Sequence, residues 1–134
     1  MTLATPESRT MSLRRAFEAE HARRDAARHA REEAERRQQE EDLARAEQLY
    51  STLSEDEAFL RDKGLALEIR RYTVSLHHDD YLIDAYFEAG TINVRAGDKR
   101  TASTPTAAPR KAKLVNTVEE ALDVMAQYLA DETN

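Results

Sequence analysis

From Ser12 to Leu53 the chain runs 42 residues without a Gly or a Pro, built largely of Ala, Arg, Glu and Gln. All four are strong helix formers, so the stretch predicts one unbroken helix, roughly 60 Å long at about 1.5 Å per residue. Glu20 and Arg24, Glu32 and Arg36, Glu33 and Arg37, and Glu41 and Arg45 stand four apart in the favourable order and support that helix without any partner. Ser12 is suited to cap its start, and residues 1–11, with Pro6 and four Ser or Thr, are expected to be a flexible tail.

A stretch this long and this polar is expected to be a solvated helix whose last three turns pack on the domain, to pair with a second copy, or to be disordered in its first half. Leu43, Ala46, Tyr50 and Leu53 follow heptad spacing, but the same frame extended backwards places Gln39, Arg36, Glu32 and His29 on the seam. Ala22, Ala26, Ala30 and Ala34 recur every four residues, a stripe that drifts around a helix, while Leu13 and Phe17 form a short apolar patch at the start. Leu49 and Leu53 are expected to be buried where the helix meets the rest of the chain.

Charge along the helix is polarised. Residues 14–31 hold six Arg against three acids, and residues 32–42 six acids against two Arg. An antiparallel partner would set basic half beside acidic half and bring Leu13 and Phe17 level with Leu43 to Tyr50, so a modest, salt-sensitive antiparallel homodimer is the expected assembly.

Large apolar residues are concentrated after the helix: 9 in residues 1–53 and 23 in residues 54–134. Residues 54–134 therefore form the packed domain. Ser54-Glu55-Asp56-Glu57 reads as a capping box opening a short helix that Gly64 ends. Leu65, Leu67 and Ile69 alternate with other residues, and after Arg70-Arg71 the parity changes to Tyr72, Val74 and Leu76. A strand with a bulge near Arg71 fits, although 65–70 could also be helical. Tyr81–Glu88 and Thr91–Arg95, separated by Ala89-Gly90, complete a three-stranded antiparallel meander. Its core face carries Tyr72, Val74, Leu76, Tyr81, Ile83, Ala85, Phe87, Ile92 and Val94.

Residues 97–113 contain no large apolar residue, and six bases face one acid from Arg95 to Lys113, which predicts a mobile basic loop. Thr117 and Glu120 form a second capping box before a last helix whose stripe is Val118, Leu122, Met125 and Leu129. The expected fold is α+β: a long charged helix, then a two-layer domain of short helix, three strands and C-terminal helix.

Chemistry is scarce. The chain has no Cys, which excludes disulfides, thiol nucleophiles and thiolate metal sites, and its three Gly stand apart, which excludes a glycine-rich phosphate loop. His77-His78-Asp79-Asp80 has metal-ligand residue types, but four consecutive residues cannot converge on one ion, and a polar turn is expected. No catalytic residue, metal or cofactor is assigned. No apolar run is long enough for a membrane helix and no secretory h-region opens the chain, so a cytoplasmic protein is expected.

Arg110-Lys111-Ala112-Lys113 ahead of a helix over Val118–Leu129, in an α-β-β-β-α order, resembles the double-stranded RNA-binding domain across residues 54–131, and the resemblance implies contact of those bases with RNA phosphates. That family is basic at the helix start, whereas Asn116, Thr117, Glu119 and Glu120 stand here, and the acids repel phosphate. The chain is assigned to no family on these residues. The leading expectation is a non-catalytic adaptor or regulatory protein acting on a protein partner, with a nucleic-acid-associated factor as the rival. The candidate contact residues are Leu13, Phe17, Leu43 and Tyr50 on the helix and Arg95, Arg100, Arg110, Lys111 and Lys113 on the basic segment.

Overall fold

The computed structural model describes residues 12–100 and 108–133, with side chains outside 108–110. Helix α1 spans Leu13–Ser54 and α2 Glu57–Asp62; strands β1 Ala66–Arg70, β2 Thr73–His77, β3 Tyr81–Glu88, β4 Thr91–Asp98 and β5 Ala108–Val115 follow; α3 is Val118–Thr133. The chain divides into two compact units between Arg37 and Gln38. This boundary lies inside α1, not at its end near residue 53.

Among the described residues of the first unit, 12–37, no side chain is buried. Ser12 caps the helix as expected, its Oγ accepting the Arg15 amide at 3.2 Å. Glu20 holds both Arg23 and, at 2.8 Å, Arg24, and Glu33 holds Arg36 at 2.7 Å. The expected tail, residues 1–11, lies outside the described residues.

The second unit is α+β, but its sheet has five strands in place of the expected three. They run in chain order β1-β2-β3-β4-β5 and every neighbouring pair is antiparallel. The α-β-β-β-α order behind the resemblance to RNA-binding domains is therefore absent. The parity change at Arg70-Arg71 is the mark of a hairpin, not a bulge. Arg70 pairs with Thr73, and the two-residue turn Arg71-Tyr72 brings Ile69 opposite Val74 and Leu67 opposite Leu76, so both alternations face one side. Arg71 sits at φ +50° to make this turn.

The fifth strand occupies part of the expected basic loop. Gly97 and Asp98 end β4, and Ala108–Val115 pairs with Ile92–Asp98 across a register shift at Ala96/Gly97. Residues 101–107 lie outside the described residues. Its sequence lacks apolar alternation because β5 is an edge strand with few core positions, and an edge tolerates Pro109 and Lys.

All nine residues expected on the core face point inward; eight are buried and Tyr72 is half-buried. Ala46, Leu49 and Leu53 of α1 and Val118, Ala121, Val124, Met125 and Tyr128 of α3 complete one core with them. Each fully buried large side chain, such as Phe87, Ile83 or Leu49, contributes about 1.5–3 kcal/mol.

The turns follow local chemistry. Ala89 and Gly90 both have positive φ, 52° and 83°, as a two-residue turn between right-twisted strands needs. Gly64, at φ 73°, ends α2, with the Leu65 amide donating back to the Leu60 carbonyl at 2.8 Å. Thr117 and Glu120 form their capping box: the Glu120 amide reaches Thr117 Oγ1 and the Thr117 amide reaches Glu120 Oε1, each at 3.1 Å. Ser54 does not open α2. Its hydroxyl donates to the Tyr50 carbonyl at 2.8 Å and closes α1, and Asp56 stands at the N-cap without a side-chain bond.

Candidate interaction surfaces

Docking of α1 onto the sheet centres on Asp42, which is 3% exposed. Its carboxylate accepts the amides of Ala89 at 2.9 Å and Gly90 at 3.1 Å, and the Gln38 side-chain amide at 3.1 Å. Arg45, one turn on, donates to the Gly90 carbonyl at 3.1 Å and to that of Asn116. An acid and a base of the helix thus satisfy both polarities of the β3–β4 turn. The buried stripe of α1 is Asp42, Ala46, Leu49 and Leu53 at spacing 4, 3, 4, one position off the Leu43–Tyr50 frame. Leu49 and Leu53 are buried as expected; Leu43 and Tyr50 are half-buried beside them.

Most of the described bases of this set are engaged by carboxylates, carbonyls or aromatic rings. Arg95 grips the buried Asp84 with two bonds, 2.8 and 3.1 Å. Arg100 bonds Asp98 and Glu132, each at 3.0 Å, and its bond to Asp98 holds the guanidinium even more firmly charged. Lys111 reaches Asp131 at 2.5 Å with its ammonium 5.0 Å over the Tyr128 ring. Lys99 donates to the His78 carbonyl at 2.8 Å, Arg70 pairs with Glu68, and Arg71 lies over the Tyr72 ring. Lys113 is exposed, and the Arg110 side chain lies outside the described residues.

The sheet face opposite the core carries Glu68, Ser75, His77, Asp84, Tyr86, Asn93 and Arg95. Arg70 beside Glu68 lowers that carboxyl below the ordinary range, and Glu68 in turn meets His77 Nε2 at 2.9 Å. The charge of Glu88 raises the Tyr86 hydroxyl. His78 stacks on Tyr81 at 4.3 Å and accepts the Asp80 amide, so the His-His-Asp-Asp segment forms a turn. Among the described residues no group of three His, Asp or Glu could hold a metal ion.

Among the described residues, two concavities on the helical side stand out. One of about 480 Å³ is lined by Tyr50, Leu60, Leu65 and Leu67 with Ser54, Glu57 and Arg61 around it. The other, about 560 Å³, is an apolar groove between α2 and α3 walled by Leu53, Phe59, Leu76, Leu122, Met125 and Leu129. Leu122 and Leu129, placed at the centre of the expected α3 stripe, are its half-buried edge and line this groove.

Four large apolar side chains are exposed among the described residues: Leu13 at 86%, Phe17 at 62%, Phe59 at 48% and Leu114 at 67%. Leu13 and Phe17 were identifiable from spacing alone. The groove was not, because it is formed by helices about sixty residues apart; Asp42 could have been found as the acid four residues before Ala46 and seven before Leu49. No helix among the described residues is long and apolar enough to cross a membrane. Comparison with protein-family models, curated proteins and solved structures finds no match to this chain.

Proposed function

We propose that the chain is a non-catalytic adaptor or regulatory protein of the cytoplasm that works through protein–protein contact, with α1 as its assembly element and a second copy of the chain as partner. The observation carrying this reading is the pair Leu13 and Phe17, one turn apart and 86% and 62% exposed on a helical surface that is otherwise small or polar. Apolar side chains grouped in this way are what association covers. The buried acids favour a non-catalytic reading, since Asp42 meets the β3–β4 turn, Asp84 meets Arg95 and Asp98 meets Arg100, each in a structural bond. The nucleic-acid alternative has less support, because Arg95, Arg100 and Lys111 are already engaged by carboxylates.

Sedimentation of the full chain over a concentration series tests the reading. A dimer with a dissociation constant on the order of micromolar is expected, weakened when Leu13 and Phe17 are both replaced by Ser. A wild-type chain that stays monomeric at hundreds of micromolar, on the order of 5 kcal/mol of binding or less, overturns it.

A further inference from the structure

Resting on that reading of assembly, the partner surface can be named. We infer that the basic, apolar-tipped start of α1 of one copy seats in the groove between α2 and α3 of a second copy.

The first ground is availability. A rod-against-rod pair would set Leu13 and Phe17 on the second half of the partner's α1, but there Ala46 and Leu49 are 0% exposed and Leu53 is 8% exposed, committed to the domain's own core, which leaves only the half-buried Leu43 and Tyr50 to meet them. The groove is apolar, and it has an exposed aromatic, Phe59, on its wall. Three of the four exposed large apolar side chains among the described residues thus lie at these two places.

The second ground is shape. Leu13 and Phe17 are i and i+4 on a helix and so project side by side, the usual anchor pattern of a helix laid in a groove. A groove of about 560 Å³ bounded by two helices is of the size that takes such anchors.

The third ground is charge. Every charged residue of α3 is acidic: Glu119, Glu120, Asp123, Asp131 and Glu132. Asp123 and Asp56 line the groove, and no ion pair engages either among the described residues. Lys63 is the single base at the rim and is drawn over the Phe59 ring at 5.8 Å. The incoming segment brings Arg14 and Arg15 beside its two anchors; Arg14 touches Glu18 only at 3.9 Å, and Arg15 has no ion pair among the described residues. Opposite charge around a shared apolar centre orients the docking and lets salt weaken it.

The native chain has no Cys, so engineered thiols report contacts without ambiguity. One batch carries Ala16→Cys, between the anchors, and a differently tagged batch carries Ala126→Cys, exposed on the groove wall. Mixing and mild oxidation should give a disulfide joining the two tags, formed in lower yield when the oxidation is run in high salt. The bond should be lost when Phe17→Ser is added to the first batch. Asp123→Lys alone should weaken self-association by sedimentation about tenfold, and Arg15→Glu in the same chain should restore part of it. All of these positions are exposed, and unchanged thermal unfolding of each variant shows that folding is intact. Ala16→Cys mixed with Glu47→Cys reports rod-against-rod pairing. A dimer that joins 16 to 47 and not to 126 overturns the groove while leaving assembly through α1 standing; a chain monomeric throughout the series overturns both.

Discussion

Helix α1 has two halves that are helical for different reasons. Residues 13–37 bury nothing and rely on intrinsic propensity and on pairs such as Glu20 with Arg24 and Glu33 with Arg36. Residues 38–54 include Asp42, Ala46, Leu49 and Leu53, all buried, and their helicity is enforced by the sheet they cover. Propensity barely distinguishes the halves, since the first is mostly Ala, Arg and Glu and the second mostly Gln, Glu, Leu and Ala, all good helix formers. The difference is one stripe of four residues at spacing 4, 3, 4, and it decides which half belongs to the folded domain.

The sharpest way to break this comparison is to empty the stripe. Leu49→Ala, at a site with 0% exposure, should destabilise the domain by about 3 kcal/mol, with Leu53→Ala close behind, as deletions in packed cores do. Ala30→Ser in the exposed half should change unfolding by less than about 0.5 kcal/mol. Denaturant unfolding followed by tyrosine signals checks both. Equal, small effects would show that the second half is no more part of the domain than the first.

Polar docking is the next largest effect. Asp42→Ala leaves the Ala89 and Gly90 amides without their acceptor, at a cost of about 2 kcal/mol, since those amides can partly recover water. Asp42→Asn keeps an acceptor oxygen and should cost less. If Asp42→Ala proved silent, the stripe would be holding the sheet by its apolar members alone.

A smaller effect of opposite sign is expected one contact away. Ala89 occupies the left-handed region at φ 52°, where a Cβ is strained and Asn is tolerated. Ala89→Asn retains the amide that Asp42 binds and creates the Asn-Gly pair such turns favour, so it should stabilise by about 0.5 kcal/mol. A loss of stability would mean that the helix, and not the turn, dictates this backbone.

What could be read in advance follows the same division between local and long-range causes. Strands β2, β3 and β4 were legible because Val74, Leu76, Ile83, Phe87, Ile92 and Val94 alternate between recognisable turns, and α3 because Thr117 and Glu120 bracket its start. Strand β5 was hidden because Ala108–Val115 has an edge strand's composition: Lys111 faces inward only to reach Asp131 and Tyr128, pairings set by a helix twenty residues away. The two-residue turn at Arg71-Tyr72 was visible as a parity change but not interpretable as a hairpin, since neither residue is a usual turn former. The exposed apolar residues Leu13 and Phe17 announced themselves by contrast with their neighbours. The acid at Asp42 misled, because Leu43 beside it is the more natural seam residue until the β3–β4 turn supplies the acceptor's partners.

The last and smallest expected effect separates the halves by their electrostatics. Hydrogen bonds from Arg24 to Glu20 and from Arg36 to Glu33 hold both carboxyls below their ordinary value of 4.5. A carboxyl depressed in the folded helix contributes fully above that value and stops contributing as pH falls through its lowered one, so the contribution of these two pairs should be constant between about pH 7 and pH 5 and be lost below. In the domain, Glu68 is depressed by Arg70 and Glu120 by the Asn116 amide, so acid alone moves both regions. Salt divides them. At about 1 M the screening length falls to about 3 Å and weakens the exposed pairs of residues 13–37, whereas the Glu120 bonds to the Asn116 and Thr117 amides, 3.0 and 3.1 Å, belong to a cap held by the fold. All five Tyr lie between residues 50 and 128, so the tyrosine bands of near-ultraviolet dichroism report only the domain while far-ultraviolet dichroism sees the whole helix. In dilute protein at neutral pH, added salt should lower the far-ultraviolet helix signal slightly and leave the tyrosine bands unchanged. If the tyrosine bands moved in step, the two halves would be melting as one cooperative unit, and the division inside α1 would be structural without being energetic.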